Sequence, residues 1–171
     1  MPIQLETSRL IIRSTKKEEA EFCINIWLDD EMGQYLSDPP REKAGDIYIS
    51  WKESVEIYDG CYYLIAISKE TGKYIGTCSL VPNEDFTVWD IGYCVHKEHW
   101  KQGYATEIIK SLIEYCSVKD GEKMTASVAK NNIGSNRVLN NLGFRIEKEG
   151  RFKKSGTEIY FDELIYSYKL V

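Results

Sequence analysis

The segment Trp100-Lys101-Gln102-Gly103-Tyr104-Ala105-Thr106-Glu107 carries the clearest chemical signal in the chain. It joins a strand-like stretch to the most regular apolar periodicity in the sequence. Ala105, Ile108, Ile109, Leu112, Ile113 and Cys116 fall at i, i+3, i+4, i+7, i+8 and i+11, the spacing of an amphipathic helix. A glycine and a small alanine at such a turn let the backbone approach a ligand closely. The first N–H groups of the helix have no acceptor within it, and the helix dipole is positive there. The turn therefore suits a pyrophosphate, with Lys101 adding a charge; an ordinary tight strand-to-helix turn uses the same residue types. No Gly-x-x-x-x-Gly-Lys and no Gly-x-Gly-x-x-Gly occurs, so this is neither a Walker loop nor a dinucleotide fingerprint.

Other reactive side chains are sparser. His96 and His99 form His-x-x-His with no third ligand in reach, and no metal is expected. The five cysteines, Cys23, Cys61, Cys78, Cys94 and Cys116, are odd in number and include no Cys-x-x-Cys pair. They read as free thiols in a reducing compartment.

The elements that must position these residues follow from periodicity. Gln4 to Arg13 reads as one strand, and Lys16 to Leu28 and Arg41 to Tyr58 as helices, the second with Ile47, Trp51, Ser54, Val55 and Tyr58 on one side. Cys61 to Ser68, Tyr74 to Val81 and Phe86 to His96 are rich in β-branched and aromatic residues and form a meander. After the long helix come a short strand from Met124 to Ala129 and a helix from Ser135 to Leu142 with Gly143 at its end. Phe144 to Glu149 and Glu158 to Leu170 close the chain as strands. The order predicts an α/β fold, a mixed and mostly antiparallel twisted sheet flanked by helices, in a single domain spanning residues 1–171.

Length and composition agree. With 171 residues, 43% hydrophobic and 29% charged, the chain can bury a core without staples. No apolar run is long enough to span a membrane and the N-terminus lacks a signal-peptide pattern, so a cytoplasmic protein is expected. A net charge of −5 disfavours a broad nucleic-acid interface and mildly favours a cationic substrate. A monomer or homodimer is expected, with no membrane partner.

Five ordered segments resemble one family. They are Leu5-Glu6-Thr7-Ser8-Arg9-Leu10-Ile11-Ile12-Arg13, then Ile91-Gly92-Tyr93, then Trp100-x-x-Gly103-Tyr104-Ala105-Thr106-Glu107, then Asn132-x-x-Ser135, then Gly143-Phe144. Together they resemble the GNAT acetyltransferase superfamily, and within it the branch of the ribosomal-protein N-terminal (alanine) acetyltransferases, over nearly the whole chain. The resemblance implies the GNAT acyl-CoA N-acyltransferase fold, whose sheet splays between its fourth and fifth strands to admit acetyl-coenzyme A; by position these are Phe86 to His96 and Met124 to Ala129. It implies that the pantetheine arm pairs with main-chain groups around Cys94 and Val95. The pyrophosphate then rests on the N–H groups of Lys101, Gln102, Gly103, Tyr104, Ala105 and Thr106, and the Asn132 amide reaches the arm. Two positions depart from the superfamily pattern: Trp100 stands where Gln or Arg is usual, and Leu139 where many members have the tyrosine that protonates the thiolate.

The reaction so implied is direct attack of an amine on the thioester, without a cysteine nucleophile or a metal. It needs a proton acceptor, an oxyanion donor and a donor to the leaving thiolate. The resemblance points to a backbone N–H near Tyr93 or Cys94 for the oxyanion and to Ser135 for the thiolate. A serine near a helix start also serves as an N-cap. The base is Asp90 or one of Glu84, Asp85 and Asp162, each of which reads equally as a solvated carboxylate. Tyr93 and Tyr160 are candidates to line the acceptor site, although in a chain with twelve tyrosines core packing or surface placement is the commoner role for any one of them. The acceptor is a peptide or protein N-terminus or a small amine, and a non-catalytic acetyl-coenzyme A sensor is the alternative from another class.

Overall fold

The computed structural model describes residues 2–171 as one eight-stranded sheet with helices on both faces. The strands are β1 (Gln4–Glu6), β2 (Leu10–Ser14), β3 (Tyr62–Ser68), β4 (Tyr74–Pro82), β5 (Val88–Val95), β6 (Lys123–Ala129), β7 (Arg145–Lys153) and β8 (Tyr160–Lys169). Their spatial order is β1-β2-β3-β4-β5-β6-β8-β7. Every neighbouring pair is antiparallel except β5 and β6. The helices are α1 (Ala20–Trp27), α2 (Ile47–Ser54), α3 (Tyr104–Val118) and α4 (Ile133–Asn141).

The apolar stripe of α3 does what its spacing requires. Ile108, Ile109, Leu112 and Cys116 are fully buried and share one core with Leu10, Leu64, Leu80, Trp89 and Ile91 of the sheet. Alternation along the strands sends the intervening side chains to the other face, where α1 and α2 lie. There the rings of Trp27 in α1, Trp51 in α2 and Tyr63 in β3 touch one another, with centroids 4.9 Å, 5.2 Å and 6.3 Å apart. The Trp27 indole N–H donates to Thr77 Oγ1 at 3.1 Å, fixing α1 to β4.

Several elements differ from the sequence-based expectation; β7, for one, runs on to Lys153. The N-terminal strand is a hairpin, broken at Thr7-Ser8-Arg9 and re-paired with Glu6 opposite Ile11. The Thr7 backbone N–H donates to the Leu10 carbonyl and the Leu10 N–H donates to Thr7 Oγ1, both at 2.9 Å, so this threonine closes the turn with main chain and side chain together. The second helix is also shorter than periodicity suggests. Gly45, with φ of 61°, ends a single 3-10 turn at Arg41–Lys43, and the α-helix begins only at Ile47. Ile47, expected on the inner face, is 69% exposed, while Val55 just past the helix end is buried.

Candidate active site

β5 and β6 share only three registered pairs, Val88 with Lys123, Trp89 with Met124 and Asp90 with Thr125. Beyond Asp90 the strands part. Each still has its other neighbour, β4 beside β5 and β8 beside β6, so the sheet opens as a V without losing either half. The open edge of β5 can be read from its ladder. The His96 N–H donates to the Ile75 carbonyl on β4, so by antiparallel alternation Cys94 also turns its peptide groups to β4. Tyr93 and Val95 turn theirs to the V. The Val95 carbonyl accepts from the Trp100 indole N–H at 2.7 Å, which leaves Tyr93 and the Val95 N–H facing the opening.

A cleft of about 580 Å³ occupies this V. Tyr93, Cys94 and Val95 form its β5 wall, and Lys101, Gly103, Tyr104, Ala105 and Thr106 its turn. Asn132 and Ser135 come from α4 on the opposite side. The turn has the conformation an anion cradle needs. Lys101 has φ of 60° and Gly103 has φ of 80°, and Gly103 stands at the N-cap of α3. These two residues bend the chain sharply into α3, and the free N–H groups of the first turn of that helix follow. A Cβ on Gly103 would meet nothing closer than 3.6 Å, so the glycine is required by backbone conformation rather than by space. Gln102 does not line the cleft; its amide reaches the Glu98 carbonyl at 3.4 Å.

The start of α3 is braced by the N-terminal hairpin. The Glu107 carboxylate accepts from the Arg9 side chain at 2.7 Å, from the Arg9 N–H at 3.1 Å and from the Thr7 hydroxyl. The Arg9 guanidinium also lies over the Tyr104 ring, 4.1 Å from its centroid. Burial alone would raise the Glu107 pKa, but the bonds from Thr7 and Arg9 outweigh it and hold the carboxyl below its ordinary value. Thr7, Arg9 and Glu107 belong to the motif segments, yet nothing in their spacing shows that they meet.

On the α4 side the cap belongs to Asn132, whose side-chain oxygen accepts from the Ser135 N–H at 3.4 Å. The helix starts at Ile133, two residues earlier than expected, and Ser135 sits inside its first turn rather than at its cap. The Tyr93 hydroxyl approaches the Ser135 carbonyl at 3.5 Å, and burial pushes the Tyr93 pKa up to about 12. Leu139 is fully buried in the α3 core.

A second cavity, about 510 Å³, lies on the other face of the sheet between α1, α2 and β3 to β5. Leu36, Tyr93 and Cys94 line both cavities, so the two meet at β5. Burial pushes the Cys94 thiol up to about 12, with smaller contributions from the Asp38 and Asp29 carboxylates. The carboxylate in the lining of this second cavity is Asp38, which the sequence hides in the turn Ser37-Asp38-Pro39-Pro40. Asp90 lines neither cavity. It sits where β5 and β6 are still paired, with Oδ1 accepting from Thr125 at 2.7 Å. Desolvation by its neighbours raises its pKa against that hydrogen bond, although the residue as a whole is exposed. Glu84, Asp85, Tyr160 and Asp162 are exposed and outside both cavities. His96 and His99 are neighbours with ring centroids 6.2 Å apart, and no group of three His, Cys, Asp or Glu side chains able to hold a metal occurs among the described residues. No helix among them is long and apolar enough to cross a membrane.

The V-shaped opening beside a glycine turn defines a class, and comparison with known proteins gives the same one. The model of the GNAT acetyltransferase domain matches residues 9–145, and the chain belongs to the GNAT family of N-acetyltransferases. It is 30% identical over 152 residues to an uncharacterized N-acetyltransferase, p20, of Bacillus licheniformis, covering 85% of this chain and 83% of that protein. Among solved structures it is similar to spermidine N-acetyltransferase from Vibrio cholerae in complex with CoA and spermine, with a TM-score of 0.81, 16% identity and 96% and 97% of the two chains covered. It is similar also to ribosomal-protein-S5-alanine acetyltransferase from Vibrio fischeri, with a TM-score of 0.77, 19% identity and 98% and 97% covered. At these identities the two structures establish the fold.

Proposed function

We propose that the chain binds acetyl-coenzyme A in the V between β5 and β6 and transfers its acetyl group to an amine presented from the cavity on the opposite sheet face. The observation that carries this is the meeting of the two cavities at Tyr93 and Cys94, one beside an anion-cradling turn and the other beside a carboxylate. The cleft fits the donor: a left-handed turn with free N–H groups for the pyrophosphate, an open strand edge for an amide-bearing arm, and Asn132 facing that edge. When bound, the donor supplies a thioester: the amine nitrogen, having given one proton to water, bonds to the acetyl carbon, the C–S electron pair leaves on sulfur, and the second nitrogen proton balances the thiolate.

The chain's own groups then have distinct tasks. The Tyr93 N–H, on the open edge, stabilises negative charge on the acetyl oxygen; the Cys94 N–H is turned to β4 and is unavailable. Ser135, freed from capping by Asn132, offers its hydroxyl to the thiolate. Leu139 has no proton to give, and Ser135 is the hydroxyl that α4 places in the cleft wall. Calorimetric titration with acetyl-coenzyme A, followed by mass spectrometry of a panel of amines after incubation with it, tests the proposal. Binding together with an N-acetylated product is expected. Absence of binding would overturn the cleft assignment, and binding without any acetylated amine would overturn the transfer.

A further inference from the structure

The second cavity has a distinctive chemistry that narrows the acceptor. Apart from Asp38 its polar groups are uncharged hydroxyls and thiols, and the buried Trp51 indole N–H has no hydrogen-bond partner among the described residues. Thr77 already accepts from the Trp27 indole, and Tyr48 donates its hydroxyl to Asp38 Oδ1 at 2.5 Å. The rest of its wall is largely aromatic and aliphatic: Trp27, Trp51 and Tyr63 in mutual contact, with Leu36 and Ile47 at the sides. Into this wall the fold sets one carboxylate. Asp38 forms no salt bridge with a lysine or arginine among the described residues. The cation in its neighbourhood, buried Lys154, donates instead to the carbonyls of Gly33 at 2.9 Å and Leu36 at 3.1 Å.

We propose that this cavity selects a small primary amine that carries one cationic nitrogen on a compact aromatic or apolar body, with the ammonium pairing to Asp38 on entry, before it gives up the proton that attack requires, and the body lying against Trp27, Trp51 and Tyr63. The inference rests on the transferase reading for its consequence but on this cavity for its content. A desolvated ammonium needs a carboxylate partner, and a desolvated carboxylate without a cation gains by receiving one. Burial raises the Asp38 pKa and outweighs the Tyr48 hydrogen bond and the more distant Lys154 charge, as expected of a carboxylate with no cation in direct contact. A polyamine would bring further charges into a wall with no second carboxylate. A peptide N-terminus would bring a run of peptide groups, whereas the free partners in this wall are two serine hydroxyls, Ser37 and Ser79, and the Trp51 indole N–H. The volume, about 510 Å³, is that of a small-molecule site.

The test compares phenethylamine, spermidine and a tetrapeptide with a free amino terminus as acceptors for the full chain with acetyl-coenzyme A. Phenethylamine is expected to show kcat/KM at least about tenfold above both others. Asp38→Asn should raise its KM at least about tenfold, while the Kd for acetyl-coenzyme A measured by calorimetry stays unchanged. Tyr48→Phe keeps the carboxylate and should raise KM less. Phenethylamine titrated into the protein without acetyl-coenzyme A reads the cavity alone, and its heat should vanish in Asp38→Asn. Preference for spermidine or the peptide, an unchanged KM in Asp38→Asn, or no phenethylamine binding to the unmodified protein overturns this inference. Failure of acetyl-coenzyme A to bind while phenethylamine still binds overturns the transferase reading and leaves the amine site standing.

Discussion

The two sides of β5 are built on opposite principles. The cleft side is made of backbone: a left-handed turn, a free strand edge and two helix N-termini, with side chains such as Glu107 and Asn132 bracing them. The opposite side is made of side chains drawn from α1, α2, β3 and a turn, with Asp38 as the single carboxylate. Backbone recognition suits a ligand that is always the same, because it depends on conformation more than on residue identity. Side-chain recognition can be changed one substitution at a time without disturbing the first.

The comparison breaks most sharply at Gly103. Forcing a β-branched residue into φ of 80° costs about 2–3 kcal/mol. The turn relieves that strain by leaving the binding conformation, so Gly103→Val should weaken acetyl-coenzyme A roughly thirty- to a hundred-and-fiftyfold. The thermal shift caused by acetyl-coenzyme A should largely disappear, while phenethylamine binding survives. An unchanged shift would show that the turn does not hold the phosphates.

Ser135→Ala comes next. Since Asn132 supplies the cap, the substitution should lower stability by only a few tenths of a kcal/mol, whereas Asn132→Ala should cost about 1 kcal/mol. If the hydroxyl serves the thiolate, kcat falls about tenfold to a hundredfold with little change in acetyl-coenzyme A affinity. Wild-type turnover would return proton delivery to water.

Glu107→Gln separates brace from cradle. Losing the charge weakens bonds from Thr7 and Arg9 and should cost about 2 kcal/mol of stability, seen in the denaturation midpoint. The sign with pH is set by the lowered pKa of this carboxyl. Its contribution is complete above the ordinary value of 4.5 and is lost as pH falls through the lower folded value, so wild type and variant should converge in acid. A difference in midpoint that persists in strong acid would remove Glu107 as its cause.

What the sequence makes legible follows the same division. The α3 stripe is local, and the expected helix lies within Tyr104–Val118 as observed. The glycine turn and the order of strands are local too, and the fold follows from them. The hairpin at Thr7 is only half local: Thr7 and Leu10 close its turn, but Glu107, which braces it, lies one hundred residues away. The assignment of the cap to Asn132 rather than Ser135 depends on where a helix starts, to within two residues, which periodicity does not resolve. Asp38 is least legible of all. An aspartate before two prolines reads as turn chemistry, and only tertiary packing brings it to face Trp51 and Tyr63.

Cys94 is where the two principles share one residue, and the effect expected there is the smallest. Its backbone belongs to the β4 ladder, its side chain lies where both cavities meet, and its Sγ is 3.7 Å from the Met32 carbonyl. A thiol so near an acetyl donor invites a covalent relay through an acetyl-cysteine. The electrostatics oppose it. A pKa pushed up to about 12 leaves roughly one part in a hundred thousand as thiolate at neutral pH, and the nearby Asp38 and Asp29 carboxylates push in the same direction. Cys94→Ala should therefore keep kcat within about twofold and lose about 1 kcal/mol of stability for the smaller side chain. The same thiol should alkylate slowly with iodoacetamide at neutral pH and faster only in strong alkali. An acetyl group trapped on Cys94 that forms and decays as fast as turnover would replace direct transfer with a two-step path, and would make the shared wall a reactant rather than a partition.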